Sequence, residues 1–133
     1  MIAAVADTHA ALWYLFGDPR LSAPASNFID RAASDQRKVV LSVISLAEIL
    51  YLIEKDRLPL SAYEDLRKAL GVVDYVIDEA PLTTGIVEAM RKVPRAEVRD
   101  MPDRIVAATA VYFGVPVISR DGRIRASNVQ TVW

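Results

Sequence analysis

The stretch "MPDRIVAATAVYFGVPVISRD", residues 101–121, contains a complete predicted helix and the predicted strand that follows it. Pro102 stands at the start and Gly114 at the end of an apolar segment, which is the usual punctuation of a helix. The β-branched run "VPVISRD" then predicts a short strand that stops at the turn-forming pair Asp121–Gly122. A helix that leads directly into a strand is typical of an α/β fold.

The rest of the chain repeats this alternation. Further strands are predicted at residues 2–6, 38–42, 72–78 and 131–133. Further helices are predicted at residues 8–16, 22–35, 45–55, 60–70 and 80–93. Asp7 or Thr8 could cap the first of these helices. Strands that alternate with helices predict a parallel sheet wrapped by helices, and we expect one α/β domain over residues 1–133.

The amino-acid composition excludes several kinds of structural and catalytic site. The chain has 133 residues, 53% of them hydrophobic, and no cysteine, so disulfides, thiolate zinc sites and cysteine nucleophiles are excluded. His9 is the one histidine, and it cannot build a typical zinc site alone. The apolar runs are too short to span a bilayer, and no cationic stretch precedes an apolar block in secretory style. We therefore expect a cytoplasmic protein.

The charge is unevenly distributed along the chain. The net charge is −1, but residues 91–133 hold 8 Lys or Arg against 4 Asp or Glu. Residues 1–90 hold 8 against 13. This asymmetry indicates either a polyanionic partner for the final third of the chain or a solvated basic face.

Four acids occupy informative positions: Asp7, Glu48, Asp103 and Asp121. Asp7 and Asp121 follow predicted strands and should lie at the edge where parallel strands end, and Asp103, which opens a predicted helix, could reach the same edge. Each of these three also has a simpler explanation, as a helix cap, a first-turn acid or a turn residue.

Glu48 is harder to explain, because it lies in the apolar helix "SLAEILYLIEK" without a cation at helical spacing. A buried carboxylate must be protonated, paired or metal-bound. An acidic cluster around a hard cation, one or two Mg²⁺ or Mn²⁺ ions, accounts for all four acids together.

The segments "VADTHAALWYLF", "LSVISLAEIL" and "MPDRIVAATAVYFGVPVISRD" resemble, in order and spacing, the motifs of PIN-domain ribonucleases. The resemblance is strongest to the VapC-like toxins of toxin–antitoxin pairs. It implies a three-layer α/β/α fold with a central parallel sheet. It also implies a metal-dependent endoribonuclease that hydrolyses RNA with a metal-activated water.

The resemblance also assigns roles to residues. Asp7, Glu48, Asp103 and Asp121 match the family's acids and are the predicted catalytic and metal-binding residues, although Asp100 could replace Asp103. Thr8 and Ser119 match positions that support those acids. The predicted contacts to RNA are Arg104, Arg120, Arg123 and Arg125, and Arg104 could instead balance the acids beside it.

The apolar run "LWYLF", residues 12–16, exceeds what a helix with one buried stripe needs. A groove for a partner, or a dimer face, would explain it; a fully buried helix is the alternative. The resemblance implies a homodimer and a VapB-like antitoxin that covers the acidic pocket.

Two functions of other classes compete. A phosphohydrolase with an aspartyl nucleophile would use Asp7, but such enzymes normally have a second aspartate where this chain has His9. A non-catalytic binding module on the same fold would predict the loss of an acid, yet all four are present.

Overall fold

A central sheet of five parallel strands, in the order β3-β2-β1-β4-β5, organises the molecule. The computed structural model describes residues 1–133 except for the side chain of Ala126. The strands are β1 (Ile2–Ala6), β2 (Lys38–Ser42), β3 (Ile77–Ala80), β4 (Val117–Ile118) and β5 (Thr131–Val132). Strands that are buried on both faces need apolar residues along their length; β1 is apolar throughout, and β2 is apolar between Lys38 and Ser42 at its two ends.

Helices cover both faces of this sheet. They are α1 (Thr8–Phe16), α2 (Ala23–Ser34), α3 (Val43–Glu54), α4 (Leu60–Leu70), α5 (Thr84–Ala89), α6 (Met101–Phe113) and α7 (Gly122–Ala126). A short 3₁₀ turn, Met90–Lys92, follows α5.

Alternate residues of each central strand divide the core into two clusters. In β2, Val39 and Leu41 join the cluster that contains residues of α1 to α4, whereas Val40 joins the cluster that contains residues of α5 to α7. Because successive side chains of a strand point to opposite faces, the two clusters lie on opposite sides of the sheet. The predicted three-layer α/β/α fold with a parallel sheet is therefore confirmed.

Several predicted element boundaries were wrong. The strand predicted at 72–78 is β3, which begins only at Ile77, because the chain turns at Val72 with a hydrogen bond from the Tyr75 amide to the Val72 carbonyl (3.1 Å). The helix predicted at 80–93 is α5 followed by the 3₁₀ turn. In the segment predicted as a strand at 115–121, the paired residues are Val117 and Ile118, which form β4.

The helix α7 was not predicted, because "DG" was interpreted as a turn. The Asp121 Oδ1 atom accepts hydrogen bonds from the amides of Arg123 (2.8 Å) and Ile124 (3.4 Å). This carboxylate satisfies free amides of the first turn, so the chain enters a helix directly after β4.

The parallel arrangement brings the ends of β1, β2 and β4 to one edge. α1 begins two residues after β1, α3 begins immediately after β2, and α7 begins four residues after β4. The residues between these strands and helices are therefore close together in space. No helix in the described part of the chain is long and apolar enough to cross a membrane.

Replacing Gly114 with alanine should lower the free energy of unfolding by about 1–2 kcal/mol, because Gly114 ends α6 with φ +67°, a conformation that L-residues adopt at a cost. No atom of the described residues lies within 4 Å of the position of an added Cβ, so the loss would come from the backbone. Gly71→Ala is the matched control, since Gly71 ends α4 at φ −80°. Urea denaturation should place this control within about 0.5 kcal/mol of the parent.

Candidate active site

A pocket of about 300 Å³ lies at the edge of the sheet where β1 and β4 end. Four carboxylates from four separate elements or their caps line it: Asp7, Glu48, Asp103 and Asp121. The remaining lining residues are Thr8, His9, Trp13, Val106, Arg120 and Trp133. The structure therefore brings together the four acids that are far apart in sequence.

Asp7 links the end of β1 to the start of α1. Its amide donates to the Ile118 carbonyl (3.1 Å), and its Oδ1 atom accepts from the Ala10 amide (2.8 Å), which makes it the N-cap of α1. Burial raises the pKa of Asp7, while hydrogen bonds from Ser119 and the Ala10 amide act against that rise. Asp7 therefore caps α1 and lines the pocket at the same time.

Glu48 has a partner that helical spacing within α3 does not reveal. The Thr8 hydroxyl donates to the Glu48 Oε1 atom at 2.6 Å, across 40 residues of sequence. Glu48 is half-buried, and its side chain lines the acidic pocket. This contact fixes the carboxylate of α3 against the first turn of α1.

Asp103 lies in the first turn of α6 and is half-buried. Burial is the largest cause that raises its pKa, to about 7, and the charges of Asp121, Asp100, Glu48 and Asp7 raise it further. Asp100 is exposed, holds the N-cap position of α6 without a side-chain capping bond, and does not line the pocket. The geometry thus favours Asp103 over Asp100 as the third acid.

Ser119 supports two of the acids. Its hydroxyl is fully buried, accepts from the Asp121 amide at 3.0 Å, and hydrogen-bonds to the Asp7 carboxyl. Thr8 and Ser119 therefore contact the acids as the resemblance implies, and their part in metal binding stays a prediction.

The four acids suit a divalent cation by their chemistry. They offer oxygen donors alone, which hard cations prefer. Burial, and then repulsion by the neighbouring acids, raises the pKa of Asp103, and a bound positive charge would relieve that repulsion. Among the residues that the structure describes, however, no three His, Asp or Glu side chains form a ready-made coordination shell. The fit to a metal therefore rests on the type and charge of the donors.

The four arginines proposed for RNA lie in different settings. Arg120 is exposed and lines the acidic pocket, whereas Arg123 and Arg125 are exposed on α7 away from its wall. Arg104 donates from Nε to the Val93 carbonyl (3.0 Å) and from Nη2 to the Met90 carbonyl (2.8 Å). These bonds tie α6 to the preceding segment, so the geometry does not favour Arg104 as an RNA contact.

The pocket also has an aromatic wall, which the sequence did not reveal. Trp13 is buried, and its ring lies 5.5 Å from the His9 ring and 6.0 Å from the Trp133 ring, centroid to centroid. His9 is exposed and lines the pocket. The signal that could have found Trp133 is that "TVW" follows "VISR" as the next strand of a parallel sheet.

Comparison with models of known protein families shows to which family the chain belongs. The family model described as "PIN domain" matches residues 4–128. The chain belongs to the PIN domain family. The resemblance inferred from the sequence motifs is therefore confirmed, and the five-stranded parallel sheet agrees with it.

Individual relatives of this PIN domain are more distant. Ribonuclease VapC22 of Mycobacterium tuberculosis is 28% identical over 142 residues, an alignment that covers 100% of both chains. A structure of VapBC2 from Rickettsia felis, bound to a DNA fragment from their promoter, matches with a TM-score of 0.71 and 14% identity, over 98% of this chain and 97% of that one. A toxin–antitoxin complex from Klebsiella pneumoniae matches with a TM-score of 0.62 and 21% identity, over 98% and 97%. The two structures support the fold.

The raised pKa of Asp103, caused first by burial and then by repulsion, should make the stability of this PIN domain fall as pH rises. Because the pKa of Asp103 is about 7 in the folded state against an ordinary value of 3.8, the folded protein holds a proton that the unfolded chain has released. The free energy of unfolding should therefore decrease between these two pKa values. In EDTA at about pH 8, Asp103→Asn should be more stable than the parent by roughly 1–2 kcal/mol, after allowance for solvent screening of a half-exposed group.

Urea denaturation across this pH range measures the effect. At about pH 3 the two proteins should converge, since Asp103 is then largely protonated in both the folded and the unfolded chain. Asp65→Asn, at an exposed carboxylate of α4, is the control and should leave the profile unchanged. A parent protein whose stability rises between pH 4 and 7 relative to Asp103→Asn would contradict the repulsion.

Proposed function

We propose that this PIN domain is a divalent-metal-dependent endoribonuclease and the toxin of a toxin–antitoxin pair. The observation that carries the proposal is the convergence of Asp7, Glu48, Asp103 and Asp121 on one pocket from separate parts of the sequence. The relative named Ribonuclease VapC22, which aligns over the full length of the chain, supports RNA as the substrate.

The four acids divide into two pairs by role. Asp7 and Asp103 are the proposed direct ligands of one or two Mg²⁺ or Mn²⁺ ions, and Glu48 and Asp121 would bind directly or through water. Such an ion supplies a nucleophilic water near neutral pH and stabilises charge on the scissile phosphate. Metal-free chemistry with two histidines as acid and base is excluded, because the chain has only His9.

Other side chains of the pocket hold these acids in position. The Thr8 hydroxyl donates to the Oε1 atom of Glu48, whose side chain lines the pocket. Ser119 contacts the Asp7 carboxyl and the Asp121 amide, and so couples the end of β1 to the start of α7. These contacts order the acids before substrate arrives, and ordered groups lower the barrier to reaction.

The first test is cleavage of labelled RNA by purified protein with Mg²⁺, with Mn²⁺ and with EDTA. EDTA should abolish cleavage, and Asp7→Asn and Asp103→Asn should each reduce the rate by at least about 100-fold, since each removes a charged donor at the reacting centre. Asp65→Asn should cleave like the parent, because Asp65 lies on an exposed face of α4.

Cleavage that survives in EDTA or in Asp7→Asn would sink the metal-dependent mechanism. A folded protein that cleaves no RNA in a pool of cellular RNAs under either metal would instead favour the non-catalytic binding module. Circular dichroism and a thermal melt of each variant separate a loss of chemistry from a loss of fold.

A second cavity, the apolar groove, supports an antitoxin as partner. It has a volume of about 690 Å³ and runs between α1 and the segment from α3 to α4. Its apolar lining residues are Leu12, Trp13, Phe16, Leu52, Leu58, Pro59 and Ala62. The groove shares His9, Trp13 and Glu48 with the acidic pocket, so a segment bound in it would reach the acids.

The apolar run of α1 is only partly buried, which fits this role. Leu12 and Trp13 are buried, Tyr14 and Leu15 are half-buried, and the Phe16 side chain is 51% exposed at the rim of the groove. An amphipathic antitoxin segment would cover such a surface by laying its apolar face into the groove. The homodimer expected from the sequence stays a prediction, supported by Leu50 and Tyr51, which are exposed on α3.

Phe16→Asp should weaken binding of the antitoxin from the same toxin–antitoxin pair by at least about 10-fold, because it places a charge where an apolar anchor is expected. Isothermal titration with the purified antitoxin gives the affinity. Val73→Asp is the matched control: Val73 is 88% exposed and does not line the groove, so its affinity should equal that of the parent. Equal affinities for all three proteins would place the antitoxin on another surface.

A further inference from the structure

Part of the acidic-pocket wall consists of side chains other than the four carboxylates. Trp13, Trp133 and Arg120 line the pocket together; Arg120 is a predicted RNA contact, and none of the three is a proposed metal ligand. Their proximity follows from the sheet, because β4 and β5 pair in parallel with Ile118 opposite Val132. Ser119 and Arg120 follow β4, and Trp133 follows β5. These residues therefore leave the sheet side by side.

The Trp13 ring lies next to both Arg120 and Trp133. It is only 5% exposed, and the Arg120 guanidinium carbon lies 4.6 Å from the centroid of its ring. A guanidinium at this distance is held by the ring quadrupole, and the attraction strengthens where water is partly excluded. Arg120 is thus held at the pocket rim although it has no carboxylate partner within salt-bridge distance in the described structure.

Charge makes this position important for a nucleic-acid substrate. Four carboxylates line the pocket and repel a phosphodiester, and Arg120 is the single Lys or Arg on that wall among the described residues. A planar guanidinium offers paired donors that match phosphate oxygens. Trp133, half-buried beside it, has a π-face of the kind on which an unpaired base stacks.

We propose that Trp133 and Arg120, positioned by Trp13, form a subsite for one unpaired nucleotide next to the scissile phosphate. The Trp133 indole stacks on the base, and the Arg120 guanidinium binds the adjoining phosphate. The subsite rests on the proposed ribonuclease function, and it accepts an unpaired nucleotide because a base inside a duplex is already stacked and does not offer its face.

Trp133 also packs against the core cluster that includes Trp13, so its removal could act through packing alone. Two substitutions separate the roles. Trp133→Phe keeps a π-face, whereas Trp133→Leu keeps apolar volume without one. Thermal melts should show similar stabilities for the two variants, while their affinities for bases should differ.

The experiment measures binding rather than cleavage. Each Trp133 variant is placed in an Asp7→Asn background, and fluorescence anisotropy gives Kd for two labelled probes. One probe is a short single-stranded RNA of randomised sequence, and the other is an abasic ribose-phosphate chain of equal length. Trp133→Leu should bind the RNA about 10-fold more weakly than the Trp133 protein, and Trp133→Phe within about 3-fold of it.

The abasic probe provides the decisive comparison. All three proteins should bind it equally, because it has no base to stack. An equal loss on both probes in Trp133→Leu, no difference between Trp133→Leu and Trp133→Phe, or no binding of RNA by the Trp133 protein would each overturn the subsite.

Arg120 is tested on the same probes. Arg120→Gln should weaken binding of both and reduce the slope of log Kd against log salt by about 1, as the loss of one phosphate contact predicts. Arg31→Gln, at an exposed arginine of α2, is the control and should change neither quantity. A salt slope that is the same in Arg120→Gln and the parent would remove Arg120 from the subsite.

The outcome is independent of the cleavage test. Base-dependent binding without any cleavage would support the subsite and refute the ribonuclease. Cleavage in which Trp133→Leu and Trp133→Phe have equal KM values, together with equal Kd values for RNA, would refute the subsite and leave the ribonuclease standing.

Discussion

The parallel pairing of β1 with β4 is the constraint on which the pocket depends. The Val5 amide donates to the Pro116 carbonyl (3.0 Å) and the Asp7 amide to the Ile118 carbonyl (3.1 Å), so the two strands end together. That pairing places an acid after each strand, Asp7 and Asp121, at one edge of the sheet. The first turn of α6 adds Asp103, and α3, which follows β2, adds Glu48. No local interaction could gather acids so far apart in sequence.

The gathering of these acids has an electrostatic cost that the surrounding residues reduce but do not remove. Burial raises the pKa of Asp7, hydrogen bonds from Ser119 and the Ala10 amide oppose that rise, and Thr8 donates to Glu48. For Asp103, no hydrogen bond from the described residues opposes burial and the neighbouring charges, which raise its pKa. Repulsion of this kind persists in folded proteins mainly where function requires it. The strained acid is thus part of the argument for a cation-binding site.

Trp13 is the residue at which the separate surfaces of the molecule meet. Its ring supports Arg120 on the side of the acidic pocket and lies 5.0 Å from the Arg20 guanidinium carbon, whose side chain lines the apolar groove. The acidic pocket and the apolar groove are therefore neighbours that share a wall. On the proposed function, a partner seated in the groove would contact the same residues that a substrate needs.

The sequence alone determined the fold class and the four acids, because hydrophobic periodicity, capping residues and strand ends are local patterns. It identified β1 and α1 to their observed limits and α6 within one residue. It failed at α7, where an Asp121 that caps a helix looks the same as one that ends a turn. Only the tertiary structure decided that Asp103 rather than Asp100 lines the pocket, that Arg104 binds backbone carbonyls, and that Trp133 stands beside Arg120. These facts depend on the rotation of α6 and the register of β4 with β5, which arise from packing across the whole chain.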